Sequence, residues 1–322
     1  MIRHRHPWIA CLAVALLSVA GMPSGCRAQA SPQVMDELTV TGERSGPGLW
    51  HVRRGDAHVW ILGSLSPLPK GITWRSKQFE QLLDRTHSVL IPKPFEIGIV
   101  RVLWLLVTER SLLMVHGGKD LRDVMPPALH ARFAAQRAKY TTNSDKWERY
   151  RPIIAAVFLQ QAAFHATGLS TRLDLGAAVR VLAAKHRVPI EEVKAAGVGD
   201  ALEALKTMPP ASENACVEAS LATVERDLPR LVQRAQAWAA GNVERLASLH
   251  EPPEVDACRA ALDEAAGVSS LIASVRRTWM SAITEHLRGA ETTAAVINMD
   301  LLLEKGGLLD ELRAQGYEIQ GP

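Results

Sequence analysis

Cysteine is scarce in this 322-residue chain, and so are aromatics, at 5% of residues. Beyond residue 30 no run of about 18 apolar residues occurs, so no later segment reads as a membrane-spanning helix. Past that point only Cys216 and Cys258 remain, and neither has a Cys or His at metal-ligand spacing, which argues against a cysteine-built zinc site. His87, His116, His130, His165, His186, His250 and His286 show no paired i, i+4 spacing and no acidic box, so they read as surface or helix-end residues. Internal repeats and low-complexity tracts are also missing, which excludes a solenoid. An excess of positive charge is lacking too. Of 37 basic and 34 acidic residues, Arg3, Arg5 and Arg27 lie in the first thirty, leaving 34 basic against 34 acidic. A near-neutral domain does not fit a nucleic-acid partner.

What stands at the N-terminus is an export signal. Arg3 and Arg5 precede an apolar stretch from Trp8 to Val19, and Ala28-Gln29-Ala30 completes a cleavage site. Residues 1–30 are therefore expected to be removed, leaving Ser31 first and placing the chain in the periplasm or outside the cell. Cys26, after Ser24-Gly25, offers the competing reading of a lipidated N-terminus. In an oxidising compartment Cys216 and Cys258 are expected to form a disulfide.

Residues 31–48 read as a flexible lead-in ending in Gly46-Pro47-Gly48, and residues 49–322 as one folded domain. Leu49–Arg53 and Ala57–Leu62 alternate apolar and polar around Arg54-Gly55-Asp56, which predicts a hairpin. Ser76–Arg85 reads as a helix, Val89–Ile91 as a buried strand stopped by Pro92 and Pro94, and Val188–Val193 as an edge strand. Helices are expected over 152–165, 175–186, 216–240, 270–288 and 308–315, with strands at 294–297 and 317–319. The fold class this implies is α/β, helix-rich, with a central mixed sheet built from both chain ends and a helical insertion between them. The tryptophans, Trp50, Trp60, Trp74 and Trp104 among them, suit packing, and an aromatic carbohydrate platform is the other reading.

Several segments, taken in order, resemble the TraB/GumN family, which includes the Tiki-like metalloproteases. They are Leu49-Trp50, Gly63-Ser64-Leu65-Ser66, Leu68-Pro69 and Trp74-Arg75-Ser76, then Ile297-Asn298-Met299-Asp300, Glu304–Leu308 and Gly316-Tyr317. Cys216, Ala235, Trp238, Gly241 and Cys258 fit its helical middle. The resemblance implies a divalent metal held by two Gly-x-x-His segments and a Glu, with water as the nucleophile. Here Ser66 and Asp300 stand at the two histidine positions, Ile297 replaces the second glycine, and Ile91-Pro92-Lys93-Pro94 holds no acid. Arg276 or Arg277 stands in for an arginine expected before Trp279. A catalytic metal needs about three good ligands and an open position, so no cofactor is expected.

The leading expectation is a non-catalytic binding or accessory role in the bacterial envelope. Its partner would be an unidentified envelope protein, peptide or polysaccharide. The alternative is a peptidase-like hydrolase with Ser66 or Ser64 as nucleophile and Lys93 or His58 as base. A rearranged metal site using Asp300 with a histidine is a third. Gly63–Ser66, Ile91–Pro94 and Ile297–Asp300 are expected to meet at one end of the sheet, with Lys93 paired to Asp300.

Overall fold

The computed structural model describes residues 47–72, 77–93, 110–142, 145–171, 175–194, 205–249, 253–266 and 268–322. The expected export signal, the expected lead-in as far as Gly46, and Trp74-Arg75-Ser76, Pro94 and Trp104 lie outside them.

The chain opens as a hairpin. Strand β1 (Leu49–Arg54) pairs antiparallel with β2 (Ala57–Ser64), Arg54 facing Ala57 across a two-residue turn. Gly55 takes φ 61° there, a conformation that costs a side-chain-bearing residue strain. Trp50 and Val52 are buried, while His51 lies on the other face and stacks on Trp60 with centroids 4.0 Å apart. Short strand β3 (Leu68–Pro69) follows, then helix α1 (Lys77–Leu83) and β4 (Ser88–Pro92). Helix α1 sinks Phe79, Leu82 and Leu83 into the core, the spacing its sequence shows.

The helical insertion comes next: α2 (Arg110–Leu113), α3 (Leu121–Val124), α4 (Pro127–Tyr140), a 3-10 turn at Asp145–Arg149, and α5 (Pro152–Ala166). Pro127 and Pro152 each occupy a first helical position, where the missing N–H costs nothing. Strand β5 (Leu169–Ser170) pairs with β3. Helix α6 (Leu175–His186) and edge strand β6 (Ile190–Val193) return the chain to the sheet.

Helix α7 (Pro210–Ala222) runs through a π-helical turn at Thr223–Asp227 into α8 (Leu228–Ala239). The expected long helix over 216–240 is therefore present, but interrupted. Helices α9 (Val243–Ser248), α10 (Pro253–Ala266) and α11 (Val268–His286) follow. Strand β7 (Thr292–Asn298), α12 (Met299–Leu303), α13 (Leu308–Ala314) and β8 (Glu318–Gln320) end the chain. Gly316, at φ 82°, closes α13.

The six-stranded sheet has the order β6-β4-β7-β2-β1-β8. Its first four strands are parallel and the last two pairings antiparallel, so the sheet is mixed and draws strands from both chain ends. Strand β7 is buried from Thr293 to Ile297, as a central parallel strand must be. Two cores result. One surrounds the sheet, with Trp50, Ile61, Phe79, Ile91, Trp238 and Val296 among its members. The other lies in the helical insertion, around Leu121, Phe133, Leu159, Leu221 and Leu228. Cys216 on α7 and Cys258 on α10 form a disulfide, as expected. Among the described residues no helix is long and apolar enough to cross a membrane.

Candidate functional site

Parallel pairing decides where the candidate residues go. Gly63 faces Ile297 and Ser64 faces Asn298, while Leu90 faces Ala295 on the other side of β7. The carboxyl ends of β2, β7 and β4 therefore lie side by side, and Gly63–Ser66, Ile91–Lys93 and Ile297–Asp300 leave the sheet at one edge. Ligands in open α/β sheets bind beyond such strand ends.

Helix α8 crosses this edge and is tied to it. The indole Nε1 of Trp238 donates to the Gly63 carbonyl at 2.8 Å, in a fully buried bond. Gly63 is needed for a second reason. A Cβ there would stand 2.0 Å from Met299 Sδ and 2.9 Å from the Trp50 ring. Asn298 caps α12, its side chain accepting from the Asp300 N–H at 2.7 Å, and so sets Asp300 in the first helical turn.

Asp300 Oδ1 accepts from the Arg234 guanidinium at 2.7 Å. The arginine is only 11% exposed. One turn back, Arg230 lies 3.3 Å from Asp227, whose side chain is 10% exposed. Asp227, Arg230 and Arg234 fall on one helical face by their i, i+3, i+7 spacing. With Ser66, Asp300 and Thr223 they line a cavity of about 310 Å³. Pro67, Gln160, Phe164, Thr171, Leu231 and Val255 complete its walls. A larger cavity, about 730 Å³, opens beside Trp147 and Phe158 on the helical insertion, but none of the candidate residues lines it.

The structure brings Ser66 and Asp300 together and leaves Lys93 out. The expected Lys93–Asp300 pair is not formed. Strand β4 is separated from β2 by β7, and Lys93 donates its N–H to the Val193 carbonyl at 3.0 Å, toward β6, with its side chain exposed. The cation beside Asp300 comes from α8 instead. His58 cannot serve Ser66 as a base. It begins β2 and Ser66 lies beyond its end, eight positions on, roughly 25 Å at the rise of a strand. His58 Nδ1 instead lies 2.9 Å from His51 Nε2. Burial first, and the neighbouring His58 second, hold the His51 imidazole below its ordinary pKa. Arg276 joins α11 to the chain end through Glu304 at 3.2 Å and Glu311 at 2.7 Å. Arg277 is exposed. Neither arginine lines the cavity.

A divalent metal does not fit these groups. The carboxylate of Asp300 is held by a guanidinium, and Ser66 offers only a hydroxyl. Among the described residues no three His, Cys, Asp or Glu side chains cluster to hold a metal ion. Sequence reasoning missed Asp227, Arg230 and Arg234. Their signal was the i, i+3, i+7 repeat of charged residues within the helix expected over 216–240.

Fold and site together define an α/β domain with a charged cavity at the carboxyl ends of its parallel strands. The model of the TraB/PrgY/gumN family matches residues 48–321, and the chain belongs to that family. Curated proteins and solved structures gave no match.

Proposed function

We propose that this protein is an exported, non-catalytic member of the family that binds a small polar ligand in the bacterial envelope. The observation that carries the reading is the Asp300–Arg234 ion pair, which sets a cation on the carboxylate that a metal would need as a ligand. The cavity's charges balance, Arg230 and Arg234 against Asp227 and Asp300. Among its described lining residues there is neither a histidine nor a lysine to activate Ser66. The signal-like sequence of residues 1–30, with its basic start, apolar stretch and Ala28-Gln29-Ala30, and the Cys216–Cys258 disulfide support a location outside the cytoplasm.

The test takes the protein purified from the periplasm. N-terminal sequencing should begin at Ser31. A broad peptide and ester panel should show no turnover, and zinc or manganese should leave the melting temperature unchanged. Metal-dependent hydrolysis that disappears in Asp300→Ala would establish a metallohydrolase and end this reading. A lipid-modified Cys26 would change the location to a membrane-anchored one.

A further inference from the structure

We infer that the larger cavity, on the helical insertion, binds an organic anion with an aromatic body; this site is distinct from the strand-end cavity, and the inference stands or falls independently of the reading above. The first observation is helix α5. Between Pro152 and Ala166 it carries no Asp, Glu, Lys or Arg. A helix apolar on every side belongs in a core. One side of α5 meets that rule, with Ala155, Ala156, Leu159 and Ala163 buried in the second core. The other side breaks it, for Val157 is 44% exposed and Phe158 36%. Phe158, Gln161, Ala162 and His165 form a stripe at i, i+3, i+4, i+7 spacing, and this stripe is one wall of the cavity. At about 730 Å³ the cavity has the size of a small-molecule pocket, for which roughly 300–1,000 Å³ is usual.

The second observation is the aromatic lining. Trp147 and Tyr150 meet Phe158 at centroid distances of 5.9 and 5.0 Å, Tyr150 edge to face at 87°. All three rings line the cavity, and such rings offer faces and edges to another ring. The third observation is the sign of the charge. Lys70 and Lys146 line the cavity, and among its described lining residues there is no Asp or Glu. Neither lysine has an ion pair among the described residues. Pairing of β3 with β5 sets Lys70 in place, its N–H donating to the Gly168 carbonyl at 2.6 Å. Glu148, two positions from Lys146, is taken up instead by Arg137 and by His130 at 3.1 Å. The Thr171 hydroxyl donates to Gln161 Oε1 at 3.1 Å, which leaves the Gln161 amide N–H groups as further donors. Without a carboxylate, this lining does not hold a cation and is poor in acceptors for the hydroxyls of a neutral sugar. An aromatic anion satisfies both features. Its carboxylate meets the lysines and its ring packs against Phe158 and Trp147.

Isothermal titration of the dialysed mature protein tests this with indole-3-propionate as the probe. Saturable binding is expected, and it should weaken as sodium chloride is raised. Indole-3-propionamide, which has the ring without the charge, should bind at least about fivefold more weakly, and tryptamine, with the opposite charge, more weakly still. Octanoate, an anion without a ring, and a glucuronate oligosaccharide should also bind more weakly. Lys70→Gln combined with Lys146→Gln, both at exposed positions, should weaken indole-3-propionate about fivefold with an unchanged circular dichroism spectrum. Lys305→Gln, an exposed lysine outside the cavity, should leave the affinity as it is. Phe158→Leu keeps the helix apolar, removes the ring and should weaken binding while preserving the response to salt. Absence of binding by indole-3-propionate overturns the inference, as does equal binding of its amide or an unaltered affinity in the lysine double variant. Octanoate or the oligosaccharide binding as tightly as indole-3-propionate overturns the aromatic body.

Discussion

Replacing Glu213 by Ala removes the carboxylate that holds the start of α5 against the start of α7. Glu213 is 7% exposed and its partner Arg151 is 12% exposed. Arg151 Nε donates to Glu213 Oε1 at 2.9 Å, and a second guanidinium nitrogen donates to the same oxygen. The other Glu213 oxygen accepts from the Ile153 N–H at 3.4 Å. Once the carboxylate is gone, the buried guanidinium keeps the Leu205 carbonyl at 2.7 Å. Its charge then has no counterpart there. Loss of one partner from a buried pair costs about 3–5 kcal/mol. At about 2–4 °C per kcal/mol for a domain of this size, the midpoint should fall by roughly 6–20 °C. Scanning calorimetry of Glu213→Ala, Arg151→Leu with Glu213→Leu, and wild type reads this directly. The double variant should recover most of the loss, because two apolar side chains leave no buried charge. A single-variant shift below about 2 °C, or a double variant as unstable as the single, would refute the reasoning. The site should feel the loss as well, since Gln160 and Phe164 of the cavity are carried on α5.

Cys258→Ser opens a loop of 42 residues and should cost about 4 kcal/mol through unfolded-state entropy, read by urea denaturation. Gly63→Ala drives a methyl group into Met299 and should cost at least about 1–3 kcal/mol by overpacking, with partial recovery in the Met299→Ala background. Trp238→Phe leaves the buried Gly63 carbonyl without its donor and should cost about 1–3 kcal/mol in the same assay. His51 has a folded-state pKa below its unfolded value of 6.5, so the unfolded chain binds the proton more readily. Its contribution is complete above pH 6.5 and is lost as the pH falls through that value toward the folded pKa; His51→Gln should flatten this slope in a series of urea titrations.

The sheet was legible in the sequence because its strands carry their own signals. Leu49–Leu62 alternates around a glycine turn, and Val89–Ile91 and Ala294–Ile297 are short apolar runs bounded by breakers. Their carboxyl ends met as expected because parallel pairing leaves few other arrangements. Strands β3 and β5 have two residues each, too few to show a period. Helix α10 was not foreseen, although its cysteine was. The charge partner of Asp300 was misread for a different reason. Arg234 is 66 positions away and reaches Asp300 because Trp238 fastens α8 across the strand ends. That fastening depends on tertiary packing and leaves no local signature.

The place of β7 has a consequence in time. Ala294 pairs with both Trp60 and Val89, so this strand fills the gap between β2 and β4. A chain emerging from its amino end presents the first hairpin and β4 on the order of 200 residues before their central partner exists, and such long-range pairing is slow to form. Until Thr292–Asn298 arrives, β2 and β4 each offer an unpaired edge to any other chain nearby. The sheet behaves as a clasp that only the last part of the chain can fasten. That delay suits a polypeptide proposed to be threaded across a membrane before it folds, and it makes a holding chaperone valuable until the end has been delivered.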